Sequence, residues 1–189
     1  MKAIFLDRDG VINKYPGDFQ YVRAWNEFHF LPQALPALKK LNAAGYKIFV
    51  ISNQAGVAKK IYSQADLDLI TANMLAGLRN EGIEIEGVFY CTHLPDDNCE
   101  CRKPKAGLVH KAVAALKQRG EGIDFSKSYF IGDSEMDVQT GMSVGLKTIL
   151  VFSGRERPEN RSRWKNLPDF TAMDLYEAAE MIVNASPDK

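Results

Sequence analysis

The sequence predicts an α/β protein built on a doubly wound, mostly parallel β-sheet. Short apolar runs rich in β-branched and aromatic residues alternate with segments whose apolar residues recur at helical spacing. Polar side chains also follow four of the apolar runs directly, at the end of a parallel sheet where ligands bind. A chain of 189 residues can bury a sizeable core, and we expect residues 1–189 to form a single domain.

The first part of the chain is predicted to form a strand, a helix and a second strand. Lys2–Leu6 is an apolar run that predicts a buried strand. Pro32–Ala44 is predicted to be a helix because leucines recur on one face and Gly45 can end it. These leucines are Leu35, Leu38 and Leu41. Tyr46–Ile51 is β-branched and aromatic, which predicts a second buried strand.

The middle of the chain continues the alternation. Ser63 is a suitable N-cap for a helix that runs to about Asn80. The apolar residues of this helix recur at helical spacing: Leu67, Ile70, Met74 and Leu78. Gly87–Tyr90 predicts the third strand, and the helix after it ends near Gly120. That helix is marked by Leu108, Ala112, Val113 and Leu116.

The last part of the chain is predicted to add two strands and two helices. Ser128–Ile131 is predicted to form the fourth strand, and a helix over Glu135–Ser143 is predicted to follow it. Leu146–Val151 is apolar and β-branched, which predicts the fifth strand. Asp174 can cap a final helix through Val183.

Composition and charge exclude several classes of partner. Lys plus Arg and Asp plus Glu both number 24, so the formal net charge is zero. Nucleic-acid and membrane-surface binders usually carry a basic excess, so neither partner is expected. No apolar run approaches the roughly 18 residues of a membrane span, and no basic and apolar leader precedes the first strand. We expect a cytoplasmic protein, with a frayed tail from Ala185.

Two carboxylates one residue apart follow the first strand. Asp7 and Asp9 come directly after buried apolar residues and before Gly10. Like charges this close raise each other's pKa unless a cation or a substrate compensates them. The pair therefore indicates either a bound metal ion or one carboxyl group that stays protonated and acts as an acid.

The other strand ends carry a matching set of polar residues. Hydroxyl, amide, basic and acidic side chains follow the second, third and fourth strands in turn: Ser52, Asn53, Gln54 and Gly56; then Cys91, His93, Arg102 and Lys103; then Gly132, Asp133, Ser134 and Asp137. Any one of these residues alone is as well explained by a cap or a turn. Their recurrence at four strand ends favours a common ligand site at one edge of the sheet.

These residue types suit phosphoryl transfer. Cleaving a phosphate ester takes a nucleophile, neutralisation of charge and an acid for the leaving group. We predict Asp7 as the nucleophile and Asp9 as the acid that later deprotonates water. Asp133 is predicted to join Asp7 in holding Mg²⁺. Ser52 is predicted to bind phosphoryl oxygens, and Lys103 to supply positive charge.

The three cysteines of the chain cluster with one histidine. Cys91, His93, Cys99 and Cys101 follow the pattern C-x-H-x5-C-x-C. An odd, tightly spaced set of cysteines is a poor disulfide framework. Three thiolates and one imidazole suit a tetrahedral, structural Zn²⁺ site, the alternative being buried thiols beside a surface histidine. Such a zinc would hold the two ends of the loop together and orient Arg102 and Lys103 toward the substrate.

The four motifs resemble those of the haloacid dehalogenase superfamily of phosphohydrolases, over about residues 2–152. The matching segments are Asp7-Arg8-Asp9-Gly10, Ser52-Asn53-Gln54, Lys103 and Gly132-Asp133-Ser134-Glu135-Met136-Asp137. The resemblance implies a Rossmann-like core and an aspartyl-phosphate on Asp7. It also implies Mg²⁺ held by Asp7, the backbone carbonyl of Asp9 and Asp133. Asn53 and Gln54 are predicted to bind substrate.

The cysteine loop resembles the zinc loop of the D-glycero-D-manno-heptose 1,7-bisphosphate phosphatases, a branch shared with histidinol-phosphate phosphatases. The resemblance implies that Arg102 binds the distal phosphate of a sugar bisphosphate. The loop Leu94–Asn98 is shorter than in those enzymes, Ser134 stands where some carry lysine, and Val11 stands where threonine is common. These departures leave the exact substrate open.

The chain has no room for a separate cap domain between its motifs, so we expect the site to be shielded by loops alone.

The segment Tyr15–Phe19 is as well explained by an ordinary surface loop as by a wall of the sugar pocket. The basic stretch Arg155–Arg163 is expected to be a solvated face, from which one arginine can reach a second phosphate.

The expected reaction is hydrolysis of the C7 phosphate of a heptose 1,7-bisphosphate, in the synthesis of nucleotide-activated heptose for lipopolysaccharide. The partner is then a small sugar bisphosphate of either anomer, and a monomer is expected. Histidinol-phosphate phosphatase is the first alternative, and a 3′-phosphatase on nucleic-acid ends is another. A non-catalytic, zinc-stapled binding module is the alternative of a different class.

Overall fold

The computed structural model describes residues 1–185, which form a six-stranded parallel sheet covered by helices. The strands are β1 (Ala3–Leu6), β2 (Lys47–Asn53), β3 (Gly87–Cys91), β4 (Tyr129–Gly132), β5 (Lys147–Val151) and β6 (Phe170–Ala172). The helices are α1 (Ala34–Ala43), α2 (Gln64–Asn80), α3 (Gly107–Lys117), α4 (Glu135–Ser143) and α5 (Leu175–Asn184). The order of the strands is β3-β2-β1-β4-β5-β6, and every neighbouring pair is parallel.

Side chains that alternate along the strands bury the two faces of the sheet separately. Ile4 and Leu6 of β1 pack on one face together with apolar residues of α1, α2 and α5. Ala3 and Phe5 pack on the other face, against α3. Helix α4 also packs against β4 and β5, where Gly141 lies close to Phe130. The predicted doubly wound architecture is therefore confirmed.

Helix starts follow the predicted capping chemistry. Ser63 Oγ accepts a hydrogen bond from the backbone N–H of Asp66 at 3.1 Å, and Asp66 Oδ2 accepts from Ser63 N at 2.8 Å, before α2. Asp174 caps α5 by accepting from the backbone N–H groups of Tyr176 and Glu177. These capping bonds satisfy donors that the first helical turn leaves without partners.

The largest differences from the sequence prediction are at two strands, while the bounds of the other strands differ by one residue. Strand β2 continues beyond Ile51 to Asn53 because its last residues pair with β3. Strand β6 was not predicted, since three residues are too few to show an alternating pattern. It lies beside β5, where Asp169 Oδ2 accepts from the backbone N–H and the hydroxyl of Thr148 at 2.7 and 2.8 Å. The tail that was expected to fray lies, from residue 186, outside the described residues.

The segments between the motifs add only the helices and strands of the core. Within residues 1–185, the chain between β1 and Lys103 forms only α1, α2, β2, β3, short 3₁₀ turns and loops, which confirms a capless core. Across the same residues, none of the helices combines the length and the apolar character that a bilayer crossing needs.

Candidate active site

Side chains from three adjacent strands meet at the carboxyl edge of the sheet. Because β1 lies between β2 and β4, Asp7, Ser52 and Asp133 all line one cleft of about 290 Å³. Lys103 reaches the same cleft from the loop between β3 and α3. The polar residues predicted at separate strand ends thus lie in one place, as the topology of a parallel sheet requires.

Lys103 is buried between two carboxylates. Its Nζ donates to Asp137 Oδ1 at 2.5 Å and to the carbonyl of Ile51 at 3.0 Å, and lies 2.9 Å from Asp7 Oδ2. These contacts engage all three donors of the ammonium group. Burial by itself lowers the pKa of Lys103, but Asp137 and Asp7 outweigh it and raise this pKa above its ordinary value. Lys103 is therefore a fixed positive charge against Asp7.

Asp137 belongs to this site, although the sequence analysis assigned it no role. Its Oδ2 accepts from the backbone N–H and the hydroxyl of Ser134, at 3.1 and 2.5 Å, while Oδ1 contacts Lys103. Ser134 and Asp137 have the three-residue spacing of a capping box, which was a signal in the sequence. One carboxylate thus anchors the start of α4 and the lysine together.

Two glycines make room for Asp133. A Cβ added at Gly10 would lie 2.2 Å from Asp133 Oδ2, and one added at Gly154 would lie 2.0 Å from the same oxygen. The backbone N–H of Arg155 donates to this oxygen at 2.7 Å. The Asp133 carboxylate is therefore held in a cradle that any larger residue at either position would fill.

Buried carboxylates outnumber the buried cation in the cleft. Burial raises the pKa of Asp7 to about 6, although Lys103 lowers it. Burial, with Asp7 and Asp137 nearby, raises the pKa of Asp133 well above its usual range. Oxygen atoms of these three carboxylates lie within 4.8 Å of one another. The set fits a divalent cation such as Mg²⁺, which takes carboxylate oxygens and would offset their repulsion.

Asp9 faces the cleft and is held by Arg8, a residue that the sequence analysis did not select. The Arg8 guanidinium is fully buried, and its Nη2 lies 3.0 Å from each carboxylate oxygen of Asp9. A charged residue is ordinarily expected at the surface. The one sequence signal against that expectation is the apolar pair Val11 and Ile12, which comes three residues after Arg8 and is also buried.

The amide side chains after Ser52 contact protein groups. Asn53 Oδ1 accepts from the backbone N–H of Lys103 at 3.0 Å, and its Nδ2 donates to the carbonyl of Lys103 at 3.2 Å. Gln54 Nε2 donates to Asp9 Oδ2 at 2.8 Å and to Ser52 Oγ at 3.2 Å. Both residues line the cleft, but their role in substrate binding stays a prediction.

The cysteines and the histidine of the predicted zinc loop form a compact cluster. The three sulfurs lie 3.1 to 3.6 Å apart, and His93 Nδ1 lies 3.1 Å from the sulfur of Cys101. A disulfide would place two sulfurs about 2.0 Å apart, so these are free thiols. Tetrahedral zinc–thiolate geometry places sulfurs about 3.8 Å apart, close to the observed spacing. The cluster is compatible with a metal ion.

The cysteines of the cluster differ in how readily they ionise: burial by itself raises the pKa of Cys99, but hydrogen bonds, the one with Cys101 first, outweigh it and lower this pKa to about 7. Burial and the hydrogen bond to Cys101 raise the pKa of Cys91 to about 12. Three thiols in contact, with little apolar packing in the loop between them, gain little stability from one another. A bound divalent cation would favour the thiolate forms and join the two ends of the loop.

Arginines lie on two sides of the cleft. Arg102 follows the last cysteine, and its Nη1 donates to the carbonyl of His93 at 3.3 Å. Arg155 lies at the cleft beside Asp133, with its Nε 3.2 Å from Asp18 Oδ1. The loop that carries Asp18 lines the cleft as well, so the segment Tyr15–Phe19 is part of the site wall.

Replacing Gly10 by alanine is expected to damage the cradle around Asp133. The new Cβ would overlap the carboxylate, and the φ of +83° is unfavourable for any side chain. We expect kcat to fall by at least about tenfold and the Mg²⁺ concentration for half-maximal activity to rise. Phosphate release measured across a Mg²⁺ titration checks this.

Gly82→Ala is the matched control for that variant. Gly82 has a similar φ of +72°, but a Cβ there would meet no atom within 4 Å. We expect it to cost only about 1 kcal/mol of stability, with the Mg²⁺ titration unchanged. Equal Mg²⁺ curves for Gly10→Ala and the wild type would contradict the role of the cradle.

Comparisons with known proteins agree with this geometry. A profile of HAD-hydrolase-like proteins matches residues 100–178. The D-glycero-beta-D-manno-heptose-1,7-bisphosphate 7-phosphatase of Pseudomonas putida is 37% identical over 186 residues, covering 97% of this chain and 100% of that relative. The D-glycero-alpha-D-manno-heptose-1,7-bisphosphate 7-phosphatase of Photorhabdus laumondii is 34% identical, covering 94% of this chain and 97% of that protein.

A solved structure is similar over the same length. The crystal structure of D,D-heptose 1,7-bisphosphate phosphatase from B. bronchiseptica, complexed with magnesium and phosphate, superposes with a TM-score of 0.85 at 30% identity. The match covers 98% of this chain and 100% of that one. The chain therefore belongs to the haloacid dehalogenase-like phosphatases, in the family of the D-glycero-D-manno-heptose-1,7-bisphosphate 7-phosphatases.

Proposed function

We propose that this chain hydrolyses the C7 phosphate of D-glycero-D-manno-heptose 1,7-bisphosphate through a phosphoryl group carried on Asp7. The observation that carries this proposal is the contact of 2.9 Å between Asp7 Oδ2 and the buried Lys103, in a cleft that Asp9 also lines. A carboxylate held beside a fixed cation can approach a phosphate dianion, which it would otherwise repel. The full-length similarity to heptose bisphosphate phosphatases supports the choice of sugar.

In the first step, a carboxylate oxygen of Asp7 attacks the phosphorus atom. The bond between phosphorus and the sugar oxygen breaks, and that oxygen takes the proton carried by Asp9, which frees the sugar as an alcohol. We assign to Ser52 Oγ, which lines the cleft at the end of β2, the role of donating to a phosphoryl oxygen, while Lys103 offsets the added negative charge. The product of this step is a mixed anhydride on Asp7.

In the second step, water attacks the phosphorus atom of that anhydride. Asp9 is then ionised and takes the proton from the water, while the bond between phosphorus and Asp7 breaks. Inorganic phosphate leaves, and both aspartates return to their starting protonation states. The roles proposed for the Asp7 and Asp9 side chains differ because only Asp7 contacts Lys103.

Mg²⁺ would be held by the carboxylates of Asp7 and Asp133 and by the backbone carbonyl of Asp9. The presence of magnesium and phosphate in the B. bronchiseptica structure supports this choice of ion. When bound, Mg²⁺ offsets the charge of the phosphoryl oxygens and keeps Asp7 ionised. Asp137, the third carboxylate of this group, is already committed to Lys103 and Ser134.

We propose that Arg102 binds the second phosphate of the substrate. It lines the cleft at the end of the cysteine loop, and guanidinium groups suit phosphate oxygens. Asn53 holds the backbone of Lys103 and acts on the substrate through that lysine. We propose that residues 1–189 form one domain, since a single sheet and its loops carry these side chains, and that the chain works as a monomer.

We propose Zn²⁺ as the ion of the cysteine cluster, where it fixes Arg102 and Lys103 at the cleft.

Three free thiols favour a reducing compartment, and we propose the cytoplasm. The step would serve the synthesis of nucleotide-activated heptose. Histidinol phosphate, nucleic-acid ends and a non-catalytic role find no support among the relatives reported above.

Removing the zinc is expected to lower both stability and activity. Cys99→Ser, or treatment with a chelator followed by Mg²⁺ replenishment, should lower Tm by at least about 5 °C, because the metal no longer links the two ends of the loop. Elemental analysis should find about one zinc per wild-type chain. Asp96→Asn, at an exposed position of the same loop, is the control and should change neither. Wild-type protein without zinc and with full Tm would contradict the assignment.

The substrate is tested by comparing kcat/KM for the two heptose 1,7-bisphosphate anomers and histidinol phosphate at fixed Mg²⁺. We expect a heptose substrate to be preferred by at least about 100-fold, because its second phosphate has arginine partners. Arg102→Met should reduce that preference without abolishing turnover. If histidinol phosphate has the higher kcat/KM, the proposed substrate is wrong.

A further inference from the structure

Arg8 is a buried guanidinium beside the cleft that the chemistry described above does not use. Its residue surface is 0% exposed, and it is absent from the residues that line the cleft. Its guanidinium carbon lies 6.0 Å from the ring centre of Phe28 and 5.7 Å from that of Tyr90. Burying a charge is costly, and an apolar residue of similar volume commonly serves stability as well or better. The position therefore calls for a reason other than packing.

The contacts of Arg8 converge on one carboxylate. Nε donates to Asp9 Oδ1 at 3.2 Å, and Nη2 donates to Oδ1 and to Oδ2, both at 3.0 Å. The planar guanidinium presents these donors in a fixed geometry, whereas a lysine would offer only a freely rotating ammonium. The fork of Arg8 therefore sets the plane of the Asp9 carboxylate as well as its position.

Two amides complete the clamp around Asp9. Asn13 Nδ2 donates to Oδ1 at 2.8 Å, and Gln54 Nε2 donates to Oδ2 at 2.8 Å. Gln54 Oε1 in turn accepts from Arg8 Nη2 at 3.2 Å and from the hydroxyl of Tyr62 at 2.7 Å. Oδ1 thus has three donor contacts and Oδ2 has two. The Asp9 side chain keeps 20% of its surface exposed, at the cleft.

We propose that Arg8 is a positioning residue that holds Asp9 in the orientation needed to exchange a proton with the sugar oxygen. This inference rests on the proposed function, since it takes Asp9 as the acid of the first step. An acid contributes to the rate only when it lies within hydrogen-bond reach of the leaving oxygen, so a loosened Asp9 would act poorly.

The leaving group separates this role from a structural one. A primary alkoxide, as in a sugar, leaves only when it is protonated, whereas 4-nitrophenolate is stable without a proton. Loss of the acid therefore slows an alkyl phosphate far more than an aryl phosphate. A general loosening of the site would slow both substrates alike.

The experiment measures kcat and KM for heptose 1,7-bisphosphate and for 4-nitrophenyl phosphate in Arg8→Met and Asp9→Asn. We expect Arg8→Met to lower kcat on the sugar phosphate by about 100-fold and on the aryl phosphate by less than about fivefold. KM should change little in both cases. Arg8→Lys should recover only part of the loss, since it keeps the charge without the fork.

Two further variants separate the positioning role of Arg8 from an effect of misfolding. Gln54→Met leaves Arg8 in place but removes a donor to Oδ2, and it should show the same selective loss to a smaller degree. Arg119→Met removes an arginine whose carboxylate partners, Glu86 and Glu121, do not line the cleft, and it should leave turnover of both substrates unaffected. Thermal melting of each variant confirms that the chain is folded.

The outcomes distinguish the two claims. Equal losses on both substrates for both Arg8→Met and Gln54→Met, with Asp9→Asn still selective for the sugar phosphate, would overturn the positioning role and leave the proposed function intact. Equal losses in Asp9→Asn itself would overturn Asp9 as the acid, and the role of Arg8 with it. Selective loss in all three variants supports the proposal.

Discussion

Asp7→Asn is expected to lower kcat by about 10⁴-fold or more, on any phosphate ester and at any Mg²⁺ concentration. The amide is close in size to the carboxylate but cannot attack phosphorus, and it removes a ligand of the proposed Mg²⁺. Losses of this order are typical when a covalent nucleophile is removed. Phosphate release measured with 4-nitrophenyl phosphate and with the sugar bisphosphate gives the two rates.

The thermal stability of Asp7→Asn provides a second test of the role of Asp7. Burial raises the pKa of Asp7 from its ordinary 3.8 to about 6, so ionising Asp7 lowers the stability of the folded protein without metal. This cost grows as pH rises from 3.8 to about 6 and is constant above that pH. Asp7→Asn should therefore keep or raise Tm when Mg²⁺ is absent. Adding Mg²⁺ should raise Tm in the wild type and have little effect in the variant.

Asp68→Asn is the matched control for Asp7→Asn. Asp68 is exposed on α2 and accepts a hydrogen bond from Gln64. Its substitution should change neither kcat nor the response of Tm to Mg²⁺. If Asp7→Asn retained more than about one-hundredth of the wild-type kcat, Asp7 would not be the nucleophile.

Lys103→Met should cost both folding stability and activity. The ammonium is the cation that Asp137 and Asp7 contact, so its removal leaves buried carboxylates without compensation. Breaking a buried ion pair from one side costs about 3–5 kcal/mol, and we expect a loss of stability in that range. We also expect kcat to fall by about 10³-fold, since charge neutralisation at the phosphate is lost. Denaturant unfolding and steady-state kinetics measure the two effects.

Two comparisons sharpen the interpretation of Lys103→Met. Lys39→Met removes an exposed lysine paired with Glu81 at 2.7 Å, and it should change stability by less than about 1 kcal/mol. Adding Asp137→Asn to Lys103→Met should restore part of the stability, because one buried charge is removed, but no activity. Restored activity in the double variant would contradict a direct role for the lysine at the phosphate.

The sequence was most informative where chemistry coincides with strand ends. Asp7, Ser52 and Asp133 follow apolar runs, and parallel topology then places them together without knowledge of any side-chain contact. The cysteine cluster was predictable for a similar reason, since its four potential metal-binding side chains lie within eleven residues and their spacing restricts the geometry. Helix caps such as Ser63 followed from local hydrogen bonding alone.

Other features depend on contacts between distant segments and left little signal in the sequence. Arg8 is buried because rings from two separate segments, Phe28 and Tyr90, enclose it. The role of Asp137 requires Lys103, which lies 34 residues away. Strand β6 forms beside β5 because Asp169 bonds Thr148 across 21 residues. Local patterns predict elements and their ends, whereas burial of a charge is decided by the packed fold.

The measurement that tests the central claim most directly is a ³¹P NMR time course on D-glycero-D-manno-heptose 1,7-bisphosphate with Mg²⁺. We predict that the resonance of the C7 phosphate disappears as inorganic phosphate grows, while the anomeric phosphate remains on the sugar, and that Asp7→Asn shows neither change. Release of the anomeric phosphate, or turnover that survives in Asp7→Asn, would contradict the account.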